Sequence, residues 1–416
     1  MNLAEQAQVI FEKHFLEPLS RAISAIALWF IVYWDRVLIA VSFAIAAGYY
    51  LYIILITHHF FWDFQLYSAA IKSMAAGASP YDHPFIIDDT NFPFLYAPLV
   101  AKTFLKLSWL FITPVGLAVL LIIHTIGWLS IPYLLAGSPK YWYSRNFLCV
   151  FGLFLILFGL GGLKMFASGN IAGVQSALMI FSIALAIRTR DYKLFWVTIL
   201  ICSFIKIYFL AFLLFPIILD KKYFSAIALI VALVGLYAID YALHPQLFQQ
   251  FVTVIAQVSG ADMVGRSLYS LLVRALQLVL GSEHRGLTLF ALGVHFIFVA
   301  VIALLAYAVA KRHPRPMQFD LFSCWIFMSA CLISPRLLDY DVALLVVPFV
   351  LLGQMLLKQP SVGIGIAAIV AALGFVFMRT PLSDWSGTIA LVGVWLGACV
   401  QWLVAGKADG LEEVKC

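Results

Sequence analysis

The chain has 416 residues, of which 64% are hydrophobic and only 11% charged, with a formal net charge of +6. That is more apolar surface than a soluble protein of this length can bury, so a soluble enzyme is excluded and a polytopic helical membrane protein is expected. The surplus Lys and Arg lie in short loops, where they set orientation in a bilayer and offer no nucleic-acid surface.

Residues 1–36 carry Glu5, Glu12, Lys13, Glu17, Arg21 and Arg36 around an apolar patch from Ile23 to Trp34. The patch is too short to cross, which predicts an amphipathic helix on the cytoplasmic surface and no cleavable signal. A crossing needs ~20 apolar residues at about 1.5 Å rise each. Such segments lie at 37–57, 115–135, 147–166, 170–187, 223–243, 286–310, 319–334, 337–357, 361–379 and 386–405. Residues 194–219 are too long for one comfortable helix and carry Lys206 in their middle. They read as two half-length helices, up and back, ending at Asp220-Lys221-Lys222. The transmembrane body, 37–405, then has about twelve spans.

The short basic segments Lys140–Arg145, Arg188–Lys193, Lys221-Lys222 and Lys311–Arg315, with the tail 406–416, all fall on one side, which the positive-inside rule makes cytoplasmic. Both termini are then inside, and Asp63, Asp82, Asp88, Asp89, Asp262, Asp339, Asp341 and Asp384 are outside. Two outer segments, 58–114 and 244–285, are too long for plain connectors and predict a structured cap with juxtamembrane helices. The six cysteines are scattered without metal-ligand or disulfide spacing and read as small core residues.

Few residues carry chemistry. Asp63 follows the first apolar run directly, where a carboxylate is costly and marks a functional site by default; the competing reading is a helix N-cap, which Ser or Thr would serve equally. Lys206 has apolar flanks on both sides too long for snorkelling, and a buried ammonium calls for an anion. In Ser334-Pro335-Arg336-Leu337-Leu338-Asp339-Tyr340-Asp341, an Arg, a Tyr and two acids gather at an outer turn, as a salt-bridged hairpin or as part of a site. Arg266, Asn170 and Gln175 also fall at or near the outer face, where a loop cation and interhelical hydrogen bonds are the alternative readings. Nucleotide-binding, zinc-protease and serine-hydrolase templates are missing, and His58-His59 diverge on a helix and cannot share a metal.

The ordered segments DFQLYSAAIKSMAAGASPYDHP (63–84), NFPFLYAPL (91–99), GNIAGVQSALM (169–179), SFIKIYFLAFLLFP (203–216) and SPRLLDYDVALLVVP (334–348) resemble glycosyltransferase family 87, of the GT-C superfamily. The resemblance runs from about residue 37 to 405 and is carried by the order of short motifs. Similar proteins have an Asp after the first span, then a Tyr and a Gly-x-x-Pro-Tyr tract, matched by Asp63, Tyr67 and Gly77 to Tyr81. A Tyr-Pro-Pro of that family is Tyr96-Ala97-Pro98 here. The Lys-x-Pro becomes Lys206-Ile207-Tyr208, and Asn-Gln-Ser becomes Gly265-Arg266-Ser267.

What the resemblance implies is an all-α GT-C type fold and an enzyme of the plasma membrane with its active site on the periplasmic or extracellular side. Such an enzyme moves a hexose, by resemblance mannose, from a polyprenyl-phosphate donor to a lipid or glycan acceptor with inversion. Asp63 resembles the general base. Lys206, Arg266 and Arg336 are candidates for the donor phosphate, and Tyr67, Tyr81, Tyr96, Asn170, Gln175, Asp339, Tyr340 and Asp341 for substrate contacts. A monophosphate leaving group is light enough in charge for protein cations to suffice, so no metal and no cofactor are expected. The alternative class is a flippase or secondary transporter, which also uses broken helices but shows internal duplication, and none is found in this chain.

Overall fold

The computed structural model describes residues 61–87, 89–120, 122–123, 168–259, 265–281, 286–312, 321–336, 345–358, 365–367, 369–370 and 385–404. The expected N-terminal helix, the spans at 37–57 and 147–166, most of those at 115–135 and 361–379, and the tail lie outside them, as do Asp88, Asp262, Asp339, Tyr340, Asp341 and Asp384.

The segment 58–114, the expected cap, is structured over its described residues. Its described part holds α1 (Trp62–Ala75), α2 (Pro98–Lys106) and α3 (Ser108–Ile112). Between α1 and α2 lies an antiparallel hairpin, β1 (Phe85–Ile87) with β2 (Thr90–Phe92), which hydropathy does not announce. Its two-residue turn is closed by Asp89 at φ 60°, the left-handed geometry such tight turns require. Pro98 opens α2 at a position where its missing N–H costs nothing.

Next come α4 (Ala172–Thr189) and α5 (Lys193–Ile205), which run antiparallel. At Lys206 the backbone becomes extended, φ −142° and ψ 100°, then continues as a 3-10 stretch, Ile207–Leu213, into α6 (Leu214–Asp220). The expected up-and-back pair is therefore present, because Asp220 at the end of α6 lies within electrostatic reach of the Tyr192 hydroxyl at the start of α5. The chain then forms α7 (Tyr223–Leu243), α8 (Pro245–Ser259), α9 (Leu268–Leu280), α10 (Gly286–Arg312), α11 (Leu321–Ile333), α12 (Val346–Lys358) and α13 (Ser386–Val404).

The described residues are mostly helical, and three of their helices are long and apolar enough to cross a membrane: Ala172–Thr189, Tyr223–Leu243 and Leu289–Arg312. Shorter apolar helices are Lys193–Ile205, Ile207–Asp220, Leu268–Leu280, Leu321–Ile333 and Gly387–Leu403. In α7 and α10 large apolar side chains such as Phe224, Val231, Phe296 and Leu304 point outward, as helices apolar on every side do in lipid. α4 differs, burying Gln175, Ser176 and Ser182 toward its neighbours.

Two buried clusters hold the molecule. The larger joins α4, α5, the 3-10 stretch, α6, α7, α10, α11, α12 and α13. Within it Trp325 of α11 stacks on Trp395 of α13, with ring centroids 5.3 Å apart and planes at 6°. The Trp325 indole donates to the Trp395 carbonyl at 3.0 Å, and the Trp395 indole donates to Ser329 Oγ at 2.7 Å. Cys202, Cys324, Cys331 and Cys399 are buried in this packing. The ends of α10 and α13, both expected on the basic side, meet where Arg312 donates to the Leu403 carbonyl at 2.5 Å. The second cluster belongs to the cap: Tyr67, Tyr81, Phe94, Tyr96, Phe104 and Phe111 pack together with Phe204 and Leu233 from α5 and α7.

Candidate functional site

Asp63 lies in the first turn of α1, where the helix dipole favours an acid. The N-cap reading fails for a local reason. Phe61 takes the cap position at φ 57°, no side chain caps the helix, and the Asp63 carboxylate turns to another element. Its Oδ2 accepts from Asn170 Nδ2 at 2.9 Å, and Ser168 supplies a further side-chain hydrogen bond.

Asn170 is presented by a shaped turn ahead of α4. Gly169 has φ +66°, and a Cβ there would come 3.1 Å from the Phe64 Cβ, so the turn favours glycine on two grounds. Ser168 Oγ accepts the Asn170 N–H at 3.1 Å, and Asn170 Oδ1 accepts the N–H of Ala172 at 2.8 Å, satisfying one open donor of the helix start.

Lys206 closes the chain of contacts from the apex of the hairpin. Its Nζ donates to Asn170 Oδ1 at 2.8 Å and lies 6.0 Å from the centre of the Tyr208 ring. The C-terminal end of α5, where main-chain carbonyls gather, is a favourable place for its charge. Asp63, Asn170 and Lys206 thus meet although the sequence puts Asn170 107 residues after Asp63 and Lys206 a further 36 on.

The fourth group is Arg336, whose charge acts on Asp63. Its loop is firmly tied. Ser334 Oγ donates to the Arg336 carbonyl at 2.7 Å, Ser267 Oγ to the Pro335 carbonyl at 2.6 Å, and His295 Nε2 meets the Ile333 carbonyl at 3.2 Å. The guanidinium Nε is buried with no hydrogen-bond partner. Arg266 is half-buried, and its carbonyl accepts from Thr388 at 2.5 Å. The adjacent Ser267–Pro335 bond places its backbone beside that of Arg336.

Burial pushes the Asp63 carboxyl above the ordinary carboxylate range; the Asn170 hydrogen bond, the Lys206 charge, the Ser168 bond and the Arg336 charge pull it back only in part. The group is a carboxylate poised to hold a proton more tightly than a surface Asp.

Four expected substrate contacts take other places. Tyr67 has no exposed surface; its hydroxyl pairs with that of Tyr96 at 2.9 Å and accepts the Ile171 N–H at 3.3 Å. Tyr81 donates to the Tyr96 carbonyl at 2.5 Å. These three rings are spent inside the cap cluster, and their link to the site runs through the backbone beside Asn170. Gln175 is also buried, donating to the Cys202 carbonyl at 3.4 Å while Cys202 Sγ meets the Gln175 carbonyl at 3.8 Å, so it fastens α4 to α5. In all four, aromatic or amide groups near an acid look the same in a sequence whether they line a cavity or brace its wall.

Asp240, Ser168 and His295 are polar groups of the region that motif reasoning does not pick out. An acid inside an apolar span followed four residues later by a His was the available signal for Asp240 and His244. Among the described residues no group of three His, Cys, Asp or Glu side chains is placed to hold a metal ion. No protein-family model, no curated protein and no solved structure matches the chain.

Proposed function

We propose that the protein is a membrane glycosyltransferase that moves a hexose from a polyprenyl-phosphate donor to a lipid or glycan acceptor. The observation that carries this reading is the junction of one carboxylate with two cations: Asp63 and Lys206 joined through Asn170, with Arg336 in electrostatic range. The motif order that resembles glycosyltransferase family 87 adds the donor class, with mannose as the sugar by that resemblance, and the outer face of the plasma membrane as the location.

In this reading the acceptor hydroxyl oxygen attacks the anomeric carbon from the face opposite the phosphate. The carbon–oxygen bond to phosphate breaks with inversion, the hydroxyl proton passes to Asp63, and polyprenyl phosphate leaves with the bonding electron pair. A base that takes the proton as the bond forms contributes about 10²–10⁴ in rate. In this reading Lys206 and Arg336 meet the negative charge that grows on the leaving phosphate, and Arg266, whose backbone lies near that of Arg336, is the third candidate. Protein cations then carry the role a metal ion plays for diphosphate donors.

The test is purified protein supplied with polyprenyl-phosphate mannose and a lipid acceptor, with release of polyprenyl phosphate followed by mass analysis. Asp63→Asn should lower turnover about 10²–10⁴-fold without loss of folded protein. Turnover at the wild-type level would remove Asp63 as the base. The broken pair α5 and α6 is also a transporter device, and movement of the donor across sealed vesicles without any transfer product would favour that second reading.

A further inference from the structure

The Asn170 amide stands between the opposite charges of the site. Its Nδ2 donates to Asp63 at 2.9 Å, and its Oδ1 accepts from Lys206 Nζ at 2.8 Å and from the Ala172 N–H at 2.8 Å. Chemistry fixes the orientation: an ionised carboxylate only accepts, and an ammonium and a peptide N–H only donate, so a flipped amide would break all three bonds. The residue is 4% exposed, on a turn that positive φ at Gly169 and the Ser168 hydroxyl hold in shape.

We infer that Asn170 is a positioning residue, a neutral spacer that holds the Asp63 carboxylate and the Lys206 ammonium one amide apart so that they do not neutralise each other. A contact ion pair would weaken the acid as a proton acceptor and turn the cation away from an incoming anion. With the amide between them, Asp63 receives a hydrogen bond without meeting the ammonium directly. Lys206 directs one of its donors to that neutral amide oxygen. Among the described residues the charged groups that face Asp63 are Lys206 from the hairpin and Arg336 from the loop after α11, with Ser168 and, on its own helix, Tyr67 as polar neighbours. The kinetic consequence rests on the proposed transfer reaction; the placement of charge does not.

The experiment uses the full chain in detergent or nanodiscs and two variants that push the acid in opposite directions. Asn170→Asp keeps the acceptor for Ala172 and Lys206, so the turn survives, but sets a second carboxylate against Asp63. Asn170→Ala removes the spacer and lets the flexible Lys206 side chain swing onto Asp63. Protonation of Asp63 is read by infrared pH titration of the carboxyl band, each protein being referenced to the same one carrying Asp63→Asn. The midpoint should rise by about one pH unit or more in Asn170→Asp and fall by a similar amount in Asn170→Ala. In the first variant the acidic limb of kcat/KM should move with it, leaving about a tenfold loss at pH values below the wild-type midpoint that higher pH restores.

Midpoints that stay in place, or move together, overturn the inference even if transfer falls, because lost rate alone is what a turn-holding residue would give. If Asn170→Asp does not fold, the direction in Asn170→Ala decides, downward in support and unmoved or upward against. Opposite shifts in a protein that transfers no sugar would keep the spacer and remove the reaction.

Discussion

Two acids, Asp63 in the first turn of α1 and Asp240 near the end of α7, are spent differently. Asp240 has no exposed surface. One oxygen accepts the N–H of Leu99 at 3.0 Å, near the start of α2, and the other meets His244 Nδ1 at 2.9 Å, one turn further along the chain. Both partners are fixed by the fold, so this acid works as a rivet between the cap and α7. Asp63 is only half-buried, its main partner is a side chain that also holds Lys206, and the cation in range of it, Arg336, keeps a buried Nε without a partner. What separates them is the kind of partner: a main-chain N–H and a ring one turn away for Asp240, and for Asp63 a side-chain amide shared with Lys206.

The contrast can be broken most directly by removing each acid and asking what is lost. Asp63→Asn should cost about 10²–10⁴ in transfer while thermal unfolding stays close to wild type. Asp240→Ala should do the reverse, lowering stability by about 3–5 kcal/mol as His244 and the start of α2 lose their partner, with the protein that remains folded still active. A large loss of stability in the first, or of specific activity alone in the second, would merge two roles the geometry keeps apart.

A pH profile sharpens the comparison at smaller amplitude. Burial raises the Asp63 carboxyl, so the folded protein holds its proton at pH values where the unfolded chain has released it. A base must be ionised, so kcat/KM should climb as pH rises from the ordinary Asp value of about 3.9 through the higher one. The stability increment tied to this group has the opposite sense, present at low pH and lost as pH passes through the raised value. A rate that is flat across that window, with Asp63 shown to titrate in it, would argue against its role as base.

The smallest effect belongs to the buried phenols. Tyr67→Phe removes a hydroxyl shared by Tyr96 and the Ile171 N–H, and should lower stability by about 0.5–1.5 kcal/mol with only a few-fold change in KM for donor. A loss as deep as that of Asp63→Asn would return Tyr67 to the substrate.

Length and hydropathy made most of the described helices legible. The span expected at 223–243 coincides with α7, and the pair broken near Lys206 appears as α5 and α6 because a charge amid apolar residues leaves few alternatives to a turn. The meeting of Asp63 with Lys206 was also readable, since both are charges that a bilayer makes costly. The roles of Tyr67, Tyr81, Tyr96 and Gln175 were not, because they depend on which neighbour reaches each hydroxyl or amide first, and that is settled by packing between distant segments. The hairpin at 85–92 escaped for a related reason, its strands of three residues being too short to show alternation.

The broken pair has one more consequence, for how the chain is made. α5 has 13 residues and the returning arm only seven in its 3-10 part and seven in α6, so neither arm alone reaches across a hydrocarbon layer of about 30 Å. If the pair enters a bilayer, neither arm is a complete span by itself, so a nascent chain halted just past Lys206 would be left half inserted until the next fourteen or so residues follow.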